Sequence, residues 1–247
     1  MTYRLVIKSN QLNGERVSLN VDQLHYLRRV LRLRDRDCFV AMDGAGKAWQ
    51  AQLVQDGAVL LSELDESSEL PIPVVLIAAM SKGNSFERIV HAAVELGVSE
   101  IIPVLSQRTL LNPSANRLQR WRKIATEAAE QSERMILPKV IEPMPIAKAI
   151  TLPFFHGANR YFCVARSPEP HLLSYLQRGP SNAIVIATGP EGGWTDSEVE
   201  EAITAEFKVV SLGDRILRAV TAPVTALSVI NASVTQDQEH RCKRINH

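Results

Sequence analysis

Two glycine-containing segments, each directly after a run of β-branched apolar residues, constrain the fold of this chain most strongly. The first run, residues 183–188, leads into the loop GPEGG at residues 189–193, and the second, residues 208–212, leads into GDRILR. Both runs are typical of buried strands. Thr195, with Glu198 three residues later, indicates a helix start after the first loop. Because ligands in open α/β sheets bind beyond the carboxyl ends of strands, the two loops are predicted to contact one ligand.

Composition limits the possible classes of protein. The 247 residues suit one or two domains, and 45% hydrophobic with 22% charged residues favours an ordinary globular core. The net charge of +1 argues neither for nor against nucleic acid. Cys38, Cys163 and Cys242 are far apart in sequence, which favours a reducing compartment without disulfides or a zinc site. No histidine spacing, GxSxG elbow or HExxH helix indicates a metal site or a hydrolase.

The first quarter of the chain is predicted to form short strands around one helix. The helix is predicted over residues 22–31, where apolar residues recur at helical spacing. The strands are predicted at residues 4–7, 16–19, 38–43, 48–54 and 58–63. A small β-barrel with one helix follows from this pattern, and the proline-punctuated residues 65–73 suit a linker.

The rest of the chain alternates strands and helices. Near-continuous apolar runs, typical of parallel strands covered on both faces, occur at residues 74–80, 101–105, 161–165, 183–188 and 209–212. Helices are predicted over residues 85–96, after residue 112 to about 134, and from about residue 223. The apolar runs are all far shorter than a bilayer-spanning segment, so no membrane association is expected.

The two loops carry a resemblance to a known family. GPEGG followed by LGDRILR resembles the RsmE family of small-subunit ribosomal RNA uridine-N3 methyltransferases, in the SPOUT superfamily. The segments at residues 81–87, 95–103 and 120–132 resemble further family motifs in the same order. Ser81 stands where the family has proline, Ala92 where it often has lysine, and Val220 where it has glutamate. The resemblance extends from about residue 5 to residue 232.

The resemblance implies an α/β protein of two domains. Residues 1–70 would form a PUA-like, RNA-binding β-barrel, and residues 71–247 a SPOUT-type parallel-sheet domain with a trefoil knot. It implies methyl transfer from S-adenosyl-L-methionine to N3 of a uridine in 16S ribosomal RNA, free or in the small subunit, without a metal. A cytoplasmic homodimer is expected. Two alternatives stay open: methylation of another RNA position or a ribose hydroxyl, and a non-catalytic RNA-binding assembly factor.

The predicted site residues lie mostly in the two loops. Arg218 is the first candidate for catalysis, since it could polarise a base carbonyl or hold a phosphate, and Glu191 could orient the substrate or only satisfy loop amides. The residues predicted to bind the cofactor are Thr188, Gly189, Pro190, Glu191, Gly192, Gly193, Leu212, Gly213, Ile216 and Leu217.

Phosphate contacts are predicted from basic residues. Arg28, Arg29 and Arg32 would project from the first helix toward RNA, with Lys82 and Arg134 as further candidates. The alternative is a helix face that is merely solvated.

The last helix is predicted to lie at a two-fold interface, because its apolar residues occupy more than one face. Val234 is the chosen interface position. The alternative is burial of the whole helix inside one subunit.

Overall fold

The computed structural model describes residues 3–65, 67–81, 83–109, 114–153, 157–177 and 182–245, the last ten of these as helical backbone. The chain forms two compact units, and neither is continuous in sequence. The first comprises Met1–Glu69 and Thr126–Leu137, and the second comprises Leu70–Ala125 and Pro138–His247. Helix α3 (Ala115–Gln131) contributes residues to both units.

The first unit is built on a six-stranded sheet with the order β1-β4-β5-β6-β3-β2. Its strands are β1 (Arg4–Val6), β2 (Leu12–Asn13), β3 (Arg16–Ser18), β4 (Cys38–Met42), β5 (Ala48–Val54) and β6 (Gly57–Leu64). All pairs are antiparallel except β1 with β4, which is parallel. The sheet packs around a buried cluster that includes Ile7, Leu27, Phe39 and Leu53.

The predicted strands of the first unit are all confirmed within about two residues, and only the two-residue strand β2 was not predicted among those described. The predicted helix is divided into α1 (Val21–His25) and a π-helical turn, Tyr26–Val30. Asn20 caps α1 through a reciprocal pair of hydrogen bonds with Gln23. Arg32 lies beyond the helical turns, with a φ of 60°. Its predicted projection from the helix is therefore wrong.

The segment 126–137, which belongs to the first unit, makes a buried ion pair within that unit. Its Arg134 is 3% exposed, and the guanidinium is 2.6 Å from the carboxylate of Glu69. The same carboxylate accepts hydrogen bonds from the backbone N–H groups of Met135 and Ile136. These extra hydrogen bonds offset the desolvation that burial of an ion pair requires.

The second unit is a seven-stranded sheet in which every pair is parallel. The order is β10-β8-β7-β12-β11-β13, with β9 also paired to β8. The strands are β7 (Val74–Ala79), β8 (Glu100–Leu105), β9 (Lys139–Val140), β10 (Met144–Pro145), β11 (Asn159–Cys163), β12 (Ile184–Thr188) and β13 (Lys208–Val210). Besides α3, the helices are α2 (Ser85–Glu95), α4 (Ile146–Ala149), α5 (Leu172–Leu176), α6 (Asp196–Thr204) and α7 (Thr221–Ile245).

The five predicted strands of this unit and its three long helices are confirmed. Strands β7 and β12 are buried at every position, as expected for central parallel strands. The predicted capping box at Thr195 and Glu198 opens α6. Four short elements were not predicted: strands β9 and β10 and helices α4 and α5. Each is too short to show a repeating pattern of apolar residues in the sequence.

Helix α7 corrects one prediction. Val234 is fully buried within a single chain, together with Ala226, Leu227 and Ile230. Asn231 donates a hydrogen bond to the backbone carbonyl of Leu96. Burial inside one subunit therefore accounts for this face of α7, and Val234 is not a position at which to test association.

Candidate functional site

A cavity of about 370 Å³ lies where β11, β12 and β13 end in the second unit. Four chain segments form its walls: the ends of β11 and β12 with the loops that follow them, the segment after β13, and Arg108 after β8. Its lining residues are Arg108, Cys163, Val164, Ala165, Arg166, Gly189, Pro190, Glu191, Gly192, Gly193, Trp194, Leu212, Gly213, Arg215, Ile216, Leu217, Ala219 and Ala222. This position, beyond the carboxyl ends of parallel strands, is where α/β sheets bind small ligands.

Trp194 makes a fixed wall of this cavity. Its ring packs on Phe162 with a centroid distance of 4.7 Å, and its indole N–H donates to the carbonyl of Cys163 at 3.1 Å. A Cβ at Gly189 would lie 3.1 Å from that indole. Glycine at residue 189 thus lets the backbone approach the ring closely.

The first loop is held open by a turn and an arginine. Gly193 has a φ of 72°, in the left-handed region, and its N–H donates to the carbonyl of Pro190 at 2.9 Å. The guanidinium of Arg108 donates to the carbonyl of Gly192 at 2.5 Å. The loop therefore lines the cavity with two glycines that carry no side chain, and Arg108, which follows β8, fixes its course.

A second cavity, of about 510 Å³, shares a wall with the first. Glu191, Ile216, Leu217 and Ala219 line both. The residues that line only the second are Ser85, Arg88, Arg218, Val220 and Thr221. Among the described residues that line either cavity, Glu191 is the one carboxylate. The wall between the cavities is mostly apolar.

The structure brings together nine of the ten residues predicted to bind a cofactor. Thr188 is the exception: it is buried at the end of β12 and does not line the cavity. The two residues predicted to be catalytic, Glu191 and Arg218, both line the second cavity.

Sequence reasoning missed one whole wall of the first cavity. Residues 163–166, at the end of β11, supply it. The predicted strand at residues 161–165 was the available signal, because all carboxyl ends of a parallel sheet point to one edge. Arg108 also lines the cavity, because it follows β8, whose carboxyl end lies at the same edge of the sheet. Burial raises the pKa of the Cys163 thiol, so this side chain stays protonated and supplies no thiolate.

The predicted RNA-contacting residues have different environments. Arg29 and Arg32 are exposed, whereas Arg28 pairs with Asp35 at 2.5 Å and also donates to the carbonyl of Gln55. Arg134 is buried against Glu69, so its charge is already paired inside the first unit and is not available to RNA. Lys82 lies outside the described residues.

The described part of the chain holds neither a metal-binding cluster nor a membrane-spanning helix. Among those residues, no group of histidine, cysteine, aspartate and glutamate has a geometry that would hold a metal ion. None of the described helices combines the length and apolar character that crossing a bilayer requires.

Comparison with family models defines the class of this protein. Residues 68–231 match the family described as "RNA methyltransferase domain", and residues 19–63 match "RNA methyltransferase PUA domain". The fold class predicted from the sequence, a SPOUT-type parallel-sheet domain preceded by a PUA-like domain, is thereby confirmed; its trefoil knot stays a prediction.

Individual relatives narrow the class to a family. The chain is 48% identical to ribosomal RNA small subunit methyltransferase E of Synechocystis sp., over 94% of its own length and 78% of that protein. It is 31% identical to the protein of the same name from Bacillus subtilis, over 87% and 89% of the two chains. The same family member from Neisseria gonorrhoeae, solved bound to S-adenosyl methionine, superposes with a TM-score of 0.86 at 33% identity, covering 94% of this chain and 98% of that one. The chain belongs to the ribosomal RNA small subunit methyltransferase E family.

Proposed function

We propose that this protein transfers a methyl group from S-adenosyl-L-methionine to N3 of a uridine in 16S ribosomal RNA. The observation that carries the proposal is the pair of adjoining cavities at the carboxyl edge of the parallel sheet. A methyl donor and its acceptor must lie within about 3–3.5 Å of one another in a reactive complex, which requires two pockets with a common wall. The names of the relatives and the cofactor in the gonococcal structure support the same reaction.

The residues of the first cavity fit this cofactor. Its volume of about 370 Å³ is within the range of small-molecule sites, and glycines of both loops line it. Leu212, Ile216 and Leu217 supply apolar surface for an adenine ring, and backbone groups of residues 189–193 would read its edge. When bound, the cofactor supplies an electrophilic methyl group on a sulfonium. No metal takes part in the proposed reaction.

Two side chains of the second cavity would act on the acceptor base. N3 of uridine carries an imide proton, so methylation needs that proton removed or the developing oxyanion stabilised. Glu191, which lines both cavities, would accept the proton. Arg218, which lines the second cavity, would donate hydrogen bonds to a uracil carbonyl, where negative charge develops.

The first unit would bind the surrounding RNA. Arg29 and Arg32 are exposed cations, and the PUA match of residues 19–63 supports this role.

We further propose a cytoplasmic homodimer, as the family resemblance implies. Sedimentation velocity at micromolar concentration tests the dimer, and a monomer across that range would contradict it.

The reaction itself is tested with small ribosomal subunits from a bacterial strain that lacks this modification. Calorimetry should show binding of S-adenosylmethionine to the purified protein, and mass spectrometry of digested 16S ribosomal RNA should then show N3-methyluridine. If the protein binds the cofactor but methylates another base or a ribose hydroxyl, the proposed target is wrong. Absence of cofactor binding would favour a non-catalytic assembly factor.

A further inference from the structure

We propose that Arg88 binds a backbone phosphate of the RNA at the acceptor nucleotide, and so holds the target uridine in the second cavity. This inference rests on the proposed function, since it assigns the second cavity to the methyl acceptor. Arg88 lies in the first part of α2 and lines the second cavity but not the first. It is therefore placed to act on RNA without contacting the cofactor.

The charges around Arg88 favour an external anion. Its sequence neighbour Glu87 is engaged on both carboxylate oxygens by Arg120, at 2.7 and 2.8 Å. The positions three and four residues before and after Arg88 hold no acidic residue: they are Asn84, Ser85, His91 and Ala92. Within the described part of the chain, the guanidinium of Arg88 has no hydrogen-bond or ion-pair partner. An exposed, uncompensated guanidinium at a cavity is well suited to a phosphate, because its planar fork donates two parallel hydrogen bonds.

The different roles of two arginines follow from their positions. Arg218 directly follows Ile216 and Leu217, which line both cavities, so its backbone adjoins the shared wall. Arg88 comes from α2, which contributes no residue to the first cavity. A nucleotide between them would place its base toward Arg218 and its phosphate toward Arg88. The cavity of about 510 Å³ has room for such a group.

The test compares Arg88→Ala with Arg117→Ala, a variant with the same loss of charge at an exposed position of α3 that lines neither cavity. Both proteins are assayed with small subunits that lack the modification. For Arg88→Ala we expect the KM for subunits to rise about tenfold, as when a hydrogen bond to a charged group is removed. Affinity for S-adenosylmethionine should equal that of the wild-type protein, and Arg88→Lys should recover part of the loss.

The salt dependence of RNA binding separates phosphate recognition from base recognition. When one phosphate is no longer neutralised, the slope of log K against log salt falls by roughly 0.7–0.9, whereas removing a hydrogen bond to a base leaves it unchanged. An unchanged slope, or a KM no different from that of Arg117→Ala, would overturn the assignment of Arg88. Failure of the proposed function would look different, because the wild-type protein itself would then bind no cofactor or methylate no subunit.

Discussion

The carboxylate of Glu198 accepts a hydrogen bond from the backbone N–H of Gln107 at 2.8 Å. Glu198 is 1% exposed, and its other oxygen accepts from the N–H of Thr195 in the capping box of α6. Gln107 directly precedes Arg108, whose guanidinium holds the carbonyl of Gly192. One buried carboxylate therefore links the start of α6 to the arginine that fixes the first loop of the cofactor cavity.

Replacing Glu198 should loosen this cavity as well as the helix. Glu198→Ala leaves two part-buried backbone N–H groups without this acceptor, so we expect a loss of about 1–3 kcal/mol in the free energy of unfolding. S-adenosylmethionine affinity should fall too, because Arg108 loses its support. Denaturant unfolding and calorimetry measure the two effects. Glu200→Ala, an exposed change on the same helix, is the control and should alter neither.

Gly193 should tolerate asparagine better than valine. Its φ of 72° is strained for any β-branched residue, while the nearest atom to a Cβ there, in the guanidinium of Arg108, is 3.9 Å away. Backbone strain rather than lack of space is thus the cost of Gly193→Val. We expect Gly193→Val to abolish measurable cofactor binding by calorimetry and Gly193→Asn to retain most of it. Equal loss in both variants would point to steric exclusion instead.

The exposed arginines of the first unit should govern RNA affinity. Changing Arg29 and Arg32 to alanine should weaken subunit binding and flatten its salt dependence, by roughly 0.7–0.9 in slope for each phosphate that is no longer neutralised. Arg28→Ala should change the slope less, because Asp35 already neutralises that guanidinium. Arg16→Ala, at an exposed position of β3, serves as a control. If the double variant binds small subunits with the same salt dependence as the wild-type protein, these arginines contact solvent and not RNA phosphates.

Glu130 should make the first unit less stable as the pH rises. Burial raises the pKa of this carboxyl from 4.5 to about 7, although it accepts a hydrogen bond from the N–H of Val6. Folding therefore binds a proton between those two values. The stability contributed by the neutral carboxyl is complete below about pH 4.5 and is lost as the pH passes through about 7.

Glu130→Gln removes this titration and keeps an acceptor oxygen for Val6. Unfolding by denaturant at about pH 5 and about pH 8 should show a smaller difference for the variant than for the wild-type protein, by roughly 1–3 kcal/mol. Glu63→Gln, at an exposed position of β6 in the same unit, is the matched control. If Glu130→Gln unfolds with the same pH dependence as the wild-type protein, Glu130 is not the group that makes stability depend on pH.

Local pattern predicted most of the architecture. The apolar runs of β7 and β12 are buried on both faces, so their composition alone marks central parallel strands. The capping box at Thr195 depends on residues three apart, and it formed as predicted. The first loop, with its glycines, was recognisable for the same reason: its chemistry is contained in one short segment.

Interactions between residues distant in sequence decided the rest. Arg134 resembles any other surface cation until the fold brings Glu69, some way back along the chain, against it. Val234 was a candidate interface residue by its pattern, and only the packing of α7 within its own subunit shows that its surface is already covered.

The sequence by itself determined the family, the strand and helix order, and the two loops of the candidate site, because these depend on local composition and short spacings. Tertiary structure decided which residues share a cavity. The wall at residues 163–166, the link from Glu198 to Gln107 and the position of Arg88 each join segments that are separated in the chain. No local pattern carries such pairings, since they are set by the order of the strands in the sheet and by which carboxyl ends that order places side by side.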